Sequence, residues 1–122
     1  MEDPVDNQDR DEDCLFCKIV AGDVPADVVH TTERTVAFRD VNPQAPTHVL
    51  VVPRAHRGNA GETAAADPHV AAELLTTAAE VAGAAGLESY RLVFNTGPGA
   101  GQTVFHTHLH LLGGRSLTWP PG

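Results

Sequence analysis

Basic residues are scarce in this chain: 8 Lys and Arg stand against 16 Asp and Glu, a formal net charge of −8. A nucleic-acid reader needs a basic stripe, so this balance excludes that footprint. Long apolar runs are also missing, and none approaches the ~20 residues a membrane helix needs. The amino terminus, Met1-Glu2-Asp3-Pro4, has no signal-peptide character. No nucleic-acid or membrane partner is therefore expected, and the chain reads as soluble and cytoplasmic. In such a reducing compartment the only cysteines, Cys14 and Cys17, are free or metal-bound rather than paired.

What is present is globular. A chain of 122 residues, 42% hydrophobic and 20% charged, suits a single domain. Much of the acidic excess falls before residue 14. Residues 1–13 (MEDPVDNQDRDED) cannot bury enough to order themselves and are expected to be a disordered acidic tail, with the domain over 14–122. Cys14–Val20, led by Asp13 as N-cap and stopped by Gly22, predicts a short helix. Val28–Thr31 and Thr35–Phe38 predict two strands joined at Thr32-Glu33-Arg34. A proline-punctuated loop over Asp40–Pro46 precedes His48–Val52, an apolar run that predicts a central strand. Asp67 as cap, Pro68 at the first helical position and the spacing of Val70, Leu74, Ala78, Val81 and Ala85 predict one long helix ended by Gly86. Tyr90–Asn95 predicts a further strand. The whole suits an α+β fold with a mainly antiparallel sheet.

The richest stretch is Phe105-His106-Thr107-His108-Leu109-His110-Leu111-Leu112. On a strand, alternate residues share a face. Phe105, Thr107, Leu109 and Leu111 would then face a core, and His106, His108 and His110 would line the other side. A helix would scatter the three rings. A neutral imidazole keeps one lone pair, so a ring whose other nitrogen is held as a donor is a competent nucleophile or base. The preceding Gly97–Gln102 loop offers backbone amides that approach an anion closely, with Gln102 and Thr103 as further donors. The residues alone leave three readings open: nucleophile or acid–base work, a metal site, or a buried polar cluster.

The motif His106-x-His108-x-His110-x-x resembles the signature of the histidine-triad (HIT) superfamily. The run from Phe38 to His48, the following VLVVPRAH, AGQTVFHTHLHLLGG and the ending Gly113-Gly114-Arg115 … Trp119-Pro120-Pro121-Gly122 resemble its Hint branch, the histidine-triad nucleotide-binding proteins. The likeness covers nearly everything from Cys14 onward. It implies a five-stranded, mainly antiparallel sheet with one long and one short helix, extended across a homodimer. It also implies hydrolysis of purine nucleoside phosphoramidates or acyl-adenylates to the nucleoside monophosphate, with no cofactor needed for catalysis.

By the same resemblance His108 is the nucleophile, forming a nucleotidyl-histidine intermediate. His110 bonds the phosphate, His106 supports the hydrogen-bond network, and His48 stands at the edge of the site. Thr103 takes the place of a leaving-group hydroxyl. Gln102 and Asn95 match polar contacts to the phosphate and sugar, and Phe38 and Val41 could wall the base. Asp40 matches a ribose ligand, which one carboxylate accepting from two vicinal hydroxyls would explain. Without the resemblance, Asp40 before Asn42-Pro43 reads as an Asx turn.

Two features depart from the common pattern. Thr107 stands where the family has a hydrophobic residue, so its hydroxyl needs a partner if it faces a core. Cys14-x-x-Cys17 resembles the zinc-binding subset, in which His56 and His106 would complete a structural zinc site; the alternatives are two free thiols or a redox pair. Rival functions are a nucleotide-sensing module with little turnover and a dinucleoside polyphosphate hydrolase. His30 and His69 carry no argument.

Overall fold

The computed structural model describes residues 10–122, so the expected tail lies outside it over residues 1–9. Residues 10–13, counted above with that tail, form a turn tied to the domain. Cys14 N donates to Asp11 O at 3.0 Å, and Asp11 N approaches Cys17 Sγ at 3.5 Å.

Three helices, α1 (Leu15–Ala21), α2 (Ala60–Ala66) and α3 (Pro68–Ala84), accompany five strands. The strands are β1 (Val28–Thr31), β2 (Thr35–Arg39), β3 (Thr47–Pro53), β4 (Tyr90–Phe94) and β5 (Leu109–Gly113). They pair antiparallel throughout, in the order β1-β2-β3-β5-β4. The expected α+β architecture is therefore found, with one helix more than expected.

That helix, α2, has a legible start. Asn59 caps it, accepting from Glu62 N at 3.0 Å, while Glu62 reaches back to Gly58 N at 3.2 Å. An Asn followed three residues later by Glu is a helix-start signal. The alanine-rich run behind it has too few apolar contrasts to display a period. Asp67 closes α2 and caps α3, accepting from His69 N and Val70 N, and Pro68 follows at the first position. α1 also corrects an expectation. Its cap is Cys14, whose Sγ accepts from Cys17 N at 3.4 Å, and not Asp13. Gly22 ends α1 in the left-handed region at φ 83°, as its lack of a Cβ allows.

The sheet is covered on both faces. Ala37, Val49, Val51, Leu109 and Leu111 pack on Leu74, Ala78, Val81 and Ala82 of α3. Val36, Phe38, Leu50 and Val52, one residue out of phase, pack on Phe16, Cys14 and Cys17 of the amino-terminal helix. Strand alternation thus separates an apolar core from a second face, which carries the histidines.

The histidine stretch is a strand only in its second half. The β5 ladder begins where Leu109 meets Val51 and Phe94. Before it the chain is anchored by Thr107 N, which donates to Arg57 O at 2.8 Å. Alternation persists without the ladder: Thr107 turns to Thr63 of α2, whereas the ring of His106 before it turns to Cys14 and Cys17. Phe105 departs from its expected core position and is 51% exposed, because it lies beyond the last paired strand residues. Thr107 finds its partners, Thr63 Oγ1 at 2.8 Å and Arg57 O at 3.2 Å. The two hydroxyls satisfy each other where a hydrophobic residue was expected.

Candidate functional site

Backbone groups decide which nitrogen of each triad ring carries a proton, because a carbonyl only accepts and an amide only donates. His106 is fully buried, and its Nε2–H donates to Pro53 O at 2.8 Å. Burial pushes its pKa down to about 4, so the ring is neutral and Nδ1 holds the lone pair. His108 has the opposite tautomer. Its Nδ1–H donates to His106 O at 2.7 Å, which leaves the lone pair on Nε2. Phe16 packs against this ring in a T-shaped contact, with centroids 5.0 Å apart and planes at 85°.

His110 is set through a chain of contacts. Gln44 N donates to His48 Nδ1 at 3.0 Å, so on a neutral His48 the proton sits on Nε2. His48 Nε2 lies 2.9 Å from His110 Nδ1. His110 therefore accepts at Nδ1 and keeps its proton on Nε2. Burial, then His108 and His48 nearby, push its pKa down to about 4, with Asp40 opposing. Burial likewise lowers that of His48. Among the described residues, His110 Nε2 is the buried side-chain polar atom without a partner. A buried donor left open is expected where a ligand completes the bonding. The site thus presents a lone pair on His108 Nε2 beside an N–H on His110, with ring centroids 5.0 Å apart.

Among the described residues, two groups of side chains converge closely enough to hold a metal, and the tautomers separate them. The Nδ1 atom of His106 lies 3.4 Å from Cys14 Sγ, 3.5 Å from Cys17 Sγ and 3.2 Å from His56 Nδ1. Cys17 Sγ is 3.4 Å from His56 Nδ1. Around a tetrahedral zinc with bonds of ~2.0–2.3 Å, neighbouring ligands stand ~3.3–3.8 Å apart. The Pro53 contact leaves the right nitrogen of His106 free to ligate, so all four predicted residues fit the ion. Without a cation, burial raises the Cys17 thiol to about 11. Asp40, His48 and His110 form the second group. Here the donors do not fit: the Gln44 amide occupies His48 Nδ1 and keeps the proton on Nε2, the atom a metal would need.

The remaining predicted residues fall in varied places. Asp40 forms the Asx turn, accepting from Asn42 N at 2.8 Å, and its other oxygen lies 3.4 Å from His48 Nε2. Both readings of this residue are therefore compatible with one geometry. Phe38 is buried edge-on to Phe16 at 5.5 Å. Val41 is 99% exposed and belongs to neither core cluster. Asn95 is half-buried and Thr103 exposed, on either side of a 3-10 turn over Pro98–Ala100.

Gln102 does other work than the expected ligand contact. Its Nε2 donates to Gly58 O at 2.7 Å and Val104 O at 3.0 Å, and its Oε1 accepts from Gly97 N at 2.9 Å. The Ala100, Gly101 and Gln102 amides also bond within the loop. The glycine loop is thus internally braced, and these four amides are not held open for an anion. Sequence reasoning missed Phe16 and the Gln44 amide. The first shows only as one apolar residue on a short helix, and backbone groups carry no sequence signal.

A five-stranded antiparallel sheet presenting three alternate, tautomer-fixed histidines is the arrangement of a histidine-triad protein. The model of the HIT domain matches residues 21–117. A crystal structure of a HIT family hydrolase from Legionella pneumophila Philadelphia 1 superimposes with a TM-score of 0.86 at 50% identity, covering 90% of this chain and 100% of that one. A 14 kDa zinc-binding protein of Zea mays is 46% identical over 115 residues, 92% of this chain and 90% of the relative. The adenylylsulfatase HINT1 of Arabidopsis thaliana is 42% identical over 115 residues, 92% of this chain and 78% of the relative. The chain belongs to the HIT domain family, in its Hint-like branch.

Proposed function

We propose that this protein hydrolyses purine nucleoside phosphoramidates or acyl-adenylates to the nucleoside monophosphate through a covalent nucleotidyl-His108. The observation that carries the reading is the opposed protonation of two neighbouring rings. His108 Nε2 offers a lone pair, and His110 Nε2 offers a buried, unpartnered N–H. In the first step His108 Nε2 attacks the α-phosphorus, and the P–N or P–O bond to the leaving group breaks. The ring gains positive charge, which the bond from Nδ1–H to His106 O offsets. His110 Nε2–H donates to a phosphate oxygen, and the exposed Thr103 hydroxyl meets the leaving group. Water then cleaves the P–N bond to His108, frees the monophosphate and restores the neutral ring.

Asp40 is proposed to take the ribose hydroxyls, with Phe38, Val41 and Asn95 around the nucleoside. The hydrolase and adenylylsulfatase named among the relatives support a phosphoryl-transfer reading. The test is to incubate the protein with adenosine phosphoramidate and follow monophosphate release. Tight nucleotide binding without release would instead support a sensing module.

Cys14, Cys17, His56 and His106 are proposed to hold a structural zinc, which the zinc-binding maize relative supports. Four protein ligands would close the ion's shell, so its contribution is to fix α1 and His106. A homodimer is proposed through β4, the sheet's edge opposite β1, where Tyr90 and Phe94 are partly exposed. The carboxy-terminal segment runs beside that edge, with Arg91 donating to Thr118 O at 2.9 Å and Trp119 82% exposed. No helix among the described residues is long and apolar enough to cross a membrane. A cytoplasmic location is proposed from the composition and from two cysteines that form no disulfide.

A further inference from the structure

His48 and His110 take their tautomers from the Gln44 amide, so whatever holds Gln44 holds the site. Gln44 sits in the exposed loop between β2 and β3, where a backbone amide has no ladder to keep it in place. From the far end of β5 one side chain grips the next peptide along, Gln44–Ala45, one Cα away from that amide. Arg115 Nε donates to Gln44 O at 3.1 Å, and its guanidinium also donates to Ser116 O at 2.9 Å. The approach depends on Gly114. A Cβ built there would come within 2.9 Å of Pro46 Cβ, and its φ of 90° suits only glycine. Gly114 therefore lets the end of β5 lie on the loop and bring Arg115 to the Gln44 carbonyl.

We propose that Arg115 is a positioning residue: by holding Gln44 O it keeps the Gln44 amide on His48 Nδ1, and so determines which nitrogens of His48 and His110 carry protons. The inference rests on the hydrolytic reading above for its effect on rate, but not for its effect on the rings. The chain of contacts is continuous. Arg115 bonds Gln44 O, Gln44 N bonds His48 Nδ1, His48 Nε2 bonds His110 Nδ1, and His110 Nε2–H is left facing the site. The ionisable groups facing these rings are Asp40 beside His48, and His108 and Asp40 beside His110. If the Gln44 amide drifts, His48 can place its proton on Nδ1. His110 is then free to do the same and lose the donor that meets the phosphate.

The test uses full-length protein labelled with ¹⁵N-histidine, observed without substrate at neutral pH and then assayed on adenosine phosphoramidate. Wild type should show both His48 and His110 protonated on Nε2. Arg115→Ala should shift both rings toward mixed tautomers and lower kcat about tenfold, the scale of one hydrogen bond, with KM unchanged. Arg115→Lys, which keeps a cationic donor, should restore the ring signals and most of the rate. If Arg115→Ala leaves both tautomers as in wild type, the proposal is overturned, whether or not the rate falls. If Arg115→Lys does not return the rings toward wild type, it is overturned as well. A wild type that does not hydrolyse the phosphoramidate refutes the activity alone, because the ring signals still decide the role of Arg115.

Discussion

The Nδ1–H of His108 donates to the backbone carbonyl of His106 at 2.7 Å. His106 thus serves two neighbours with two different parts. Its ring faces Cys14, Cys17 and His56, and its peptide oxygen orients the ring proposed as nucleophile. Alternation along one extended stretch makes this possible, since His106 and His108 share a face while Thr107 points away.

His108→Ala should lower phosphoramidate turnover by about 10⁴-fold or more, as nucleophile deletions do. Nucleotide binding should persist, because the proposed ribose and base contacts lie on Asp40 and Phe38. Rapid quench of wild type should trap nucleotide on histidine. Near-wild-type turnover by the variant would sink the covalent mechanism.

Protein purified without chelators should carry about one zinc per chain. Cys14→Ala should lower both zinc content and melting temperature, since it removes a ligand and the cap of α1 together. Some hydrolysis should remain, because His108 and His110 are not ligands in this reading. Zinc-free protein whose melting is indifferent to the substitution would reduce the two cysteines to plain thiols.

Acid should weaken the fold through the site itself. In the unfolded chain a histidine takes a proton near pH 6.5, whereas folded His110 resists until about 4. Protons then bind the unfolded state first, so this stability is present above pH 6.5 and is lost as pH falls toward 4. Burial of His48 acts in the same direction. Melting temperature should decline from pH 7 to pH 5, and less steeply in His110→Asn. Parallel declines in the two proteins would contradict this.

Sedimentation at micromolar concentration should find a dimer, and deletion of Trp119–Gly122 should change the preference among leaving groups. The physical reason is a thin core. α3 buries Ala78 and Ala82 against the sheet, small side chains that remove little apolar surface from water. A monomer of ordinary stability would argue that one sheet and this helix suffice.

Sequence by itself determined the strands, the long helix and the grouping of histidines. Those features are written in local chemistry: β-branched runs at Val28–Thr31 and His48–Val52, the Asp67-Pro68 start, and the alternation of His106, His108 and His110. It also placed Cys14, Cys17, His56 and His106 as one group, but only through resemblance, since 89 residues separate Cys17 from His106. Tertiary structure alone decided the rest. The ladder stops at Leu109, so Phe105 is exposed although its position in the pattern is apolar. Gln102 turned inward because its amide could close three bonds within its own loop and against Gly58. The proton on each ring was settled by Pro53 O, His106 O and the Gln44 amide. Every residue but proline carries both a carbonyl and an amide, so residue identity cannot say which of them will meet a given histidine; only the folded path of the chain selects it.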